Sequence, residues 1–163
     1  MKDAEGQGTA APRVRRATPA DIEALVEACL ALWREIGKIT DDSDAAELVD
    51  ATRAYFRQAL PTKEFIAWVA EAEGRVVVTS GLMLYRRPPT ADNLSGREGF
   101  LTNMYTVPAW RGRGLAAALL AEALAFAKSA GGRRIRLHAT EAGRPIYLKA
   151  GFVPKASAME LTW

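Results

Sequence analysis

Cysteine and histidine are nearly missing from this sequence of 163 residues, which contains one of each, Cys29 and His138. A single cysteine cannot form an internal disulfide, and one cysteine with one histidine does not make a metal-binding cluster of the usual spacing. We therefore expect no metal site, and we expect a reducing, cytoplasmic location. A chain of this length can bury a hydrophobic core without disulfides or metals.

Long hydrophobic runs and a strong excess of one charge are also missing. No stretch approaches the ~18 apolar residues that cross a bilayer, and the first residues lack the apolar run of a signal peptide. The net charge of +3, from 22 Lys and Arg against 19 Asp and Glu, is small for a protein that binds nucleic acid. We therefore expect neither a membrane nor a nucleic acid as a partner. Residues 1–11 are expected to be a disordered tail, and residues 12–163 a single domain.

Segments with apolar residues at helical spacing alternate along the chain with segments typical of strands. The resulting order is β-α-α-β-β-β-α-β-α-β, which favours an α/β fold with helices on both faces of a sheet. The predicted helices span residues 18–37, 44–60, 115–128 and 144–150, and the predicted strands span residues 13–16, 65–70, 75–85, 100–107, 134–138 and 156–163. The longest predicted loop, residues 86–99, exceeds the usual hairpin connection.

The most informative segment is residues 105–116, with the sequence YTVPAWRGRGLA. A strand leads there through a glycine-rich turn into the most apolar helix. The two glycines let main-chain N–H groups approach an anion, and the first helical turn adds unpaired donors at its positive end. The segment therefore predicts a phosphate-binding turn, although it lacks the Walker Gly-Lys-Ser/Thr and has Ala117 at the third glycine position of a dinucleotide motif. A tight strand-to-helix connection without a ligand is the alternative.

This segment resembles a signature of the GNAT superfamily of acyl-CoA-dependent N-acyltransferases. The signature is Arg or Gln, two residues, Gly, one residue, and Gly or Ala, which Arg111, Gly114 and Ala116 match. Residues 147–152, YLKAGF, are similar to the family's second signature, Tyr-x-x-x-Gly-Phe. The resemblance extends from Val14 to Trp163 and implies the GNAT-like fold, with a mixed, mostly antiparallel sheet between helices.

The resemblance implies an N-acetyltransferase that moves the acetyl group of acetyl-CoA to a primary amine by direct attack in a ternary complex. The acceptor would be a small-molecule or peptide amine. Tyr147 would be the catalytic acid that protonates the departing thiolate, and packing on the sheet is its alternative role. The implied cofactor-binding residues are Met104, Tyr105, Thr106, Arg111, Gly112, Arg113, Gly114, Leu115 and Ala116.

Two departures from the family pattern leave questions open. Many relatives have a glutamate base at the start of the strand predicted for residues 100–107, which contains no carboxylate, and Thr140 stands where the family often has asparagine. The general base is therefore unassigned, with His138, Glu141 and Glu98 as candidates. The missing carboxylate supports the alternative function, a non-catalytic acyl-CoA-binding module.

The sequence does not determine the acceptor, the acyl-chain preference or the oligomeric state. A homodimer is one of the states that it allows. Acidic residues cluster at positions 41, 42, 44 and 47, between and within the first two predicted helices. They indicate either a site that attracts a cationic acceptor or an ordinary solvated loop.

Overall fold

A computed structural model of the chain describes residues 11–156 and 159–163. The predicted N-terminal tail lies outside the described residues except for Ala11. The strands and helices of the chain are β1 (Arg13–Arg16), α1 (Ile22–Glu35), α2 (Asp42–Thr62), β2 (Ile66–Ala72), β3 (Arg75–Arg86), β4 (Arg97–Thr106), α3 (Leu115–Ser129), β5 (Arg134–Leu137) and α4 (Arg144–Lys149). Short 3-10 turns at Pro19–Asp21 and Pro108–Trp110 lead into α1 and out of β4.

The five strands form one sheet in chain order. The pairs β1–β2, β2–β3 and β3–β4 are antiparallel, and β4–β5 is parallel. This arrangement confirms the predicted α/β fold with a mixed, mostly antiparallel sheet. The parallel pair is short, because residues 98–101 of β4 pair with residues 134–137 of β5 and the pairing then ends. Residues 102–106 of β4 therefore pair with no described strand on the β5 side.

A β-bulge interrupts β4 at the point where β5 leaves it. Asn103 has a φ of 51°, a left-handed conformation that asparagine tolerates better than most residues. The Thr79 hydroxyl on β3 donates to the Asn103 carbonyl at 2.9 Å, and the β3–β4 register shifts beside it. The extra residue changes the side-chain alternation, so Leu101 and Met104, three positions apart, both pack on the α3 side of the sheet.

Two hydrophobic clusters cover the two faces of the sheet. The first joins the sheet to α3 and to Tyr147 of α4, and its most buried members include Leu82, Leu119 and Leu120. The second joins the other face to α1 and α2 around Phe56 and Phe65. The structure thus confirms helices on both faces, because each face buries its own apolar layer.

The C-terminal segment departs from the predicted element order. Its apolar residues Met159, Leu161 and Trp163 alternate as in a strand, but Ala156 and residues 159–163 form none, and Met159 and Trp163 are fully exposed. Ser157 and Ala158 lie outside the described residues. An alternating pattern makes a strand only where a sheet edge pairs with it, and this segment pairs with no described strand. The last strand of the predicted order is therefore not formed in the described chain.

Three element boundaries also differ from the predicted ones. α2 begins at Asp42, two residues before the predicted start, and continues past Pro61 to Thr62, so Asp42 belongs to a helix and not to the connector before it. β4 begins at Arg97, three residues before the predicted start, and therefore includes Glu98. The long loop shortens to residues 87–96, in which a Thr90–Asn93 bridge forms a turn. Of the helices described, none has the length and apolar character needed to span a membrane.

Candidate active site

The glycine-rich turn after β4 presents a row of unpaired main-chain donors. The amides of residues 112–117 donate to no described residue, and the first amide bonded to the turn is that of Ala118, which donates to the Gly114 carbonyl at 3.1 Å. Gly112 and Gly114 have φ of 73° and 76°, values that side chains other than glycine seldom adopt. No atom lies within 4 Å of where a Cβ on either glycine would be, so the turn is open on that side. This geometry suits an anion.

The two arginines of the turn are held against the protein. Arg111 Nε donates to the Thr106 carbonyl at 3.0 Å, and its Nη2 lies 2.5 Å from a carboxylate oxygen of Glu35 at the end of α1. Arg113 donates to the Ala109 carbonyl at 3.2 Å and stacks over Trp110 at 4.4 Å. Both guanidinium groups therefore brace the turn while its amides stay free. No pattern in the sequence indicated that Glu35 is the partner of Arg111.

The strand residues predicted to bind a cofactor lie where β4 has lost its β5 neighbour. Met104 packs on the cluster under α3, while Tyr105 lines a cleft between α1 and β3. Thr106 pairs with Val78 of β3 and with no described strand on its other side. Leu115 and Ala116, the first residues of α3, pack on the same cluster as Met104. The structure thus brings the turn and the free strand edge together.

Tyr147 lies in the cluster that joins the free edge of β4 to α3. It is 8% exposed, and its ring meets Phe152 edge-on at 5.8 Å. Burial raises the pKa of its phenol above the ordinary value. Its hydroxyl makes no hydrogen bond to a described residue, and Ser80 Oγ is the sole side-chain polar atom in the described chain that is both fully buried and unpartnered. The Tyr147 hydroxyl therefore still has access to solvent or a ligand.

Thr140, at the position where the family often has asparagine, begins the turn that leads to α4. Its hydroxyl accepts a hydrogen bond from the Gly143 amide at 3.1 Å, and its carbonyl accepts one from the Arg144 amide at 2.9 Å. Small hydroxyl side chains commonly satisfy free amides at a helix start. Thr140 therefore stabilises the turn that precedes α4 and Tyr147.

Glu98, which lies on β4 rather than in a loop, is held by three arginines. Arg134 donates to Oε1 at 2.9 Å, and Arg87 and Arg136 lie 3.3 and 3.4 Å from Oε2. The carboxyl is 2% exposed; burial by itself would raise its pKa, but the hydrogen bond from Arg87 and the three positive charges lower it. A carboxylate held in this way is a poor proton acceptor. Sequence reasoning missed this cluster because it placed the strand start too late.

The other reactive side chains show no arrangement for catalysis by a nucleophile or a metal. Cys29 is buried on α1, and burial raises the pKa of its thiol, so a thiolate is disfavoured. His138 is exposed and meets the Phe100 ring edge-on at 5.3 Å. Glu141 is exposed as well. Among the described residues, no three His, Cys, Asp or Glu side chains are grouped as a metal site would need.

Comparison with known proteins identifies the family and the fold. The family model described as "Acetyltransferase (GNAT) family" matches residues 27–152. The chain belongs to the GNAT family. Aminoglycoside N(6')-acetyltransferase type 1 of Stenotrophomonas maltophilia is 32% identical over 130 residues, which cover 77% of this chain and 73% of that protein.

Solved structures of GNAT proteins superimpose on most of the chain. A "predicted acetyltransferase with acetyl-CoA" from Clostridium acetobutylicum is 32% identical with a TM-score of 0.83, over 93% of this chain and 96% of that one. A GCN5-related N-acetyltransferase from Ralstonia eutropha JMP134 is 29% identical with a TM-score of 0.83, over 93% and 99%. This GNAT protein is an enzyme of the acyltransferase type, with acetyl-CoA as its acyl donor. The free amides of residues 112–117 fit a donor that carries a pyrophosphate.

Proposed function

We propose that this GNAT enzyme transfers the acetyl group of acetyl-CoA to the primary amine of a small molecule, by direct attack within a ternary complex. One observation carries the proposal: the unpaired amides of the turn, the free edge of β4 and the accessible Tyr147 hydroxyl meet around a single hydrophobic cluster. The similarity to a protein named as an aminoglycoside acetyltransferase supports a small-molecule amine rather than a peptide as acceptor.

The turn would hold the pyrophosphate through its main chain. The six amides of residues 112–117 donate to no described residue, and the positive end of α3 adds its dipole. Arg111 and Arg113 would add positive charge from the positions in which Glu35, Thr106 and Ala109 already hold them. Because the turn is already formed, little ordering is needed when the donor binds.

The free edge of β4 would hold the pantetheine arm. Those main-chain groups of residues 104–106 that point away from β3 would bond to the arm in place of a β5 strand. The bulge at Asn103 ends the parallel pairing, so the thioester would lie close to the point where β4 and β5 separate. Main-chain N–H groups there would stabilise the negative charge that develops on the carbonyl oxygen.

Tyr147 would donate a proton to the departing sulfur. Its raised pKa keeps the phenol protonated at neutral pH, which is the form that a general acid needs. We assign no side-chain base, because the three arginines keep Glu98 ionised and occupied. The amine would enter as the neutral form or lose its proton to water.

The proposal is tested by measuring thiol release from acetyl-CoA with a panel of amines, in parallel with mass spectrometry of each acceptor. We expect at least one small-molecule primary amine to gain 42 Da, the mass of an acetyl group replacing a proton, with stoichiometric thiol release. Acetylation of peptide amines alone would contradict the acceptor class. Stabilisation by CoA without turnover of any amine would favour a non-catalytic acyl-CoA-binding module.

A further inference from the structure

The face of β4 and β5 that is turned away from α3 carries basic and aromatic side chains. Leu101, Ile135 and Leu137 pack on the α3 side, so their alternating neighbours on the two strands point to the opposite side. The edge-on contact between Phe100 and His138 shows that the two strands share this second face. Arg136 pairs in register with Phe100 and lies between Arg134 and His138.

The arginines on this face outnumber the carboxylates that pair with them. Arg87, Arg134 and Arg136 surround Glu98, and Arg134 also pairs with Asp92 in the neighbouring loop. Three guanidinium charges therefore face two carboxylates. The cluster therefore has one positive charge in excess. Because Arg134 bonds both carboxylates, this excess lies on Arg87 and Arg136.

Arg136 is the less engaged of these two arginines. Arg87 donates a hydrogen bond to Glu98, whereas Arg136 makes no hydrogen bond to any described residue and contacts Glu98 only as an ion pair at 3.4 Å. Its side chain is 49% exposed. A guanidinium presents five N–H donors in a planar fork, so Arg136 has unused donors that match a carboxylate or a phosphate.

Arg136 also lies close to the proposed reaction centre. It is level with Phe100, and the separation of β4 from β5 begins after Leu101, with the bulge at Asn103. Three residues of strand span about 10 Å. The Arg136 side chain, which here lies toward Glu98 on the other side of Phe100, is long enough to cover a good part of that distance when it turns toward the bulge. A small acceptor could therefore place its amine at the bulge and another group on Arg136.

We propose that Arg136 is a specificity-determining residue that binds an anionic group, a carboxylate or a phosphate, on the acceptor. This inference rests on the proposed function and names its substrate class: a small primary amine with an anion a few bonds from the reacting nitrogen. Arg136 attracts such an acceptor and repels a polycationic amine, which would bring positive charge to a face that already has an excess.

Matched pairs of acceptors test the inference. The first series comprises ω-amino acids from glycine to 6-aminohexanoate, each compared with its carboxamide. The second comprises phosphate monoesters of amino alcohols and amino sugars, each compared with the unphosphorylated amine. We expect kcat/KM to favour the anionic member of at least one series by about tenfold or more, and the better series identifies the anion.

Variants at Arg136 assign the preference to this side chain. Arg136→Gln should lower kcat/KM for the anionic acceptor by about 10- to 100-fold and leave its neutral partner within about twofold. Arg136→Lys keeps the charge but not the planar fork and should recover part of the loss. Arg133→Gln makes the same charge change at a neighbouring exposed position and should leave both rates unchanged.

A binding measurement separates failure of this inference from failure of the proposed function. Calorimetric titration of the enzyme–CoA complex with N-acetyl-β-alanine and with N-acetyl-β-alaninamide reports the anion preference without turnover. Equal rates and equal affinities for both members of every pair, or equal losses for both in Arg136→Gln, would overturn the anion site while leaving acetyl transfer intact. Absence of acetylation with every amine would refute the proposed function, and the anionic acceptor class with it.

Discussion

The catalytic role proposed for Tyr147 can be tested separately from its role in packing. Replacing Tyr147 with phenylalanine keeps the buried ring and its contact with Phe152 but removes the hydroxyl, the proposed proton donor. General acids contribute about 10² to 10⁴-fold, and a thiolate leaves easily, so we expect Tyr147→Phe to lower kcat by about 100-fold. The stabilisation of the fold by CoA should stay unchanged, because the lost interaction forms in the transition state. Steady-state kinetics and thermal-shift titration with CoA measure the two effects.

The alanine variant provides the control for the packing role of Tyr147. Tyr147→Ala removes a buried ring from the cluster beneath α3 and should destabilise the fold by about 3 kcal/mol in addition to the catalytic loss. A phenylalanine variant that retains more than half of the wild-type kcat, under conditions where chemistry limits the rate, would leave Tyr147 with a packing role alone.

At the scale of elements, the pairing of β2 with β3 depends on a glycine beneath an aromatic ring. A Cβ on Gly81 would lie 2.0 Å from Cζ of Phe65, which is itself packed against Phe56 with ring centroids 5.1 Å apart. Phe65 cannot move without disturbing that buried layer. Gly81→Ala should therefore destabilise the protein by about 1 to 3 kcal/mol, measured by urea unfolding.

A double variant tests whether the Phe65 ring is the cause. In Gly81→Ala combined with Phe65→Leu, the smaller side chain leaves room for the methyl group. The combined loss of stability should then be smaller than the sum of the two single losses. Strict additivity would show that the alanine acts through something other than the ring.

The junction of β1, β2 and α1 makes stability depend on acidic pH. Hydrogen bonds from Arg15 lower the pKa of Asp21 to about 2 from 3.8, although burial opposes the shift. The pair contributes to the free energy of unfolding above pH 4. This contribution is lost as the pH falls from about 4 to 2, because protonation of Asp21 breaks the pair. The contribution is about 2 kcal/mol.

Asp21→Asn should remove that part of the acid dependence. Urea unfolding of the wild type at pH 5 and pH 2.5 gives the reference difference, and the variant should show a difference smaller by about 2 kcal/mol. Asp50→Asn is the matched control, since Asp50 pairs with Arg53 but is 83% exposed. An unchanged acid dependence in Asp21→Asn would refute the assignment to this pair.

At the scale of the whole molecule, binding of CoA should raise the stability of the entire domain. A ligand that binds only the native state stabilises it by about 2.7 kcal/mol at a hundredfold excess over its Kd. Gly114→Asp places a carboxylate among the free amides and forces a left-handed φ on a side chain, so it should abolish the CoA-dependent rise in Tm. Differential scanning fluorimetry measures both values.

A second glycine of the same conformation controls for strain. Gly74 has a φ of 73° and open space at its Cβ position, but it lies in the β2–β3 turn. Gly74→Asp should lower the Tm of the free protein by a similar amount and keep the full response to CoA. A folded Gly114→Asp variant with the full CoA response would place the pyrophosphate somewhere other than the turn.

The glycine-rich turn and α4, the helix that carries Tyr147, could be predicted from the sequence alone. The glycines at 112 and 114, the arginine before them and the Tyr-x-x-x-Gly-Phe segment act over a few consecutive residues, so their types and spacing carry the information. The same holds for the buried helix α3 and for the β-branched and aromatic residues that predicted β2 and β3. The structure has these elements within a few residues of the predicted bounds.

Long-range contacts decided the features that the chain alone did not reveal. Glu98 is buried in β4 because three arginines outside that strand compensate its charge, and Arg111 is held by Glu35, 76 residues before it. The alternating residues of the C-terminal segment predicted a strand, but no described strand pairs with them. Ion pairs and strand pairings depend on which distant partners the fold brings within reach, and local residue patterns do not encode those distances.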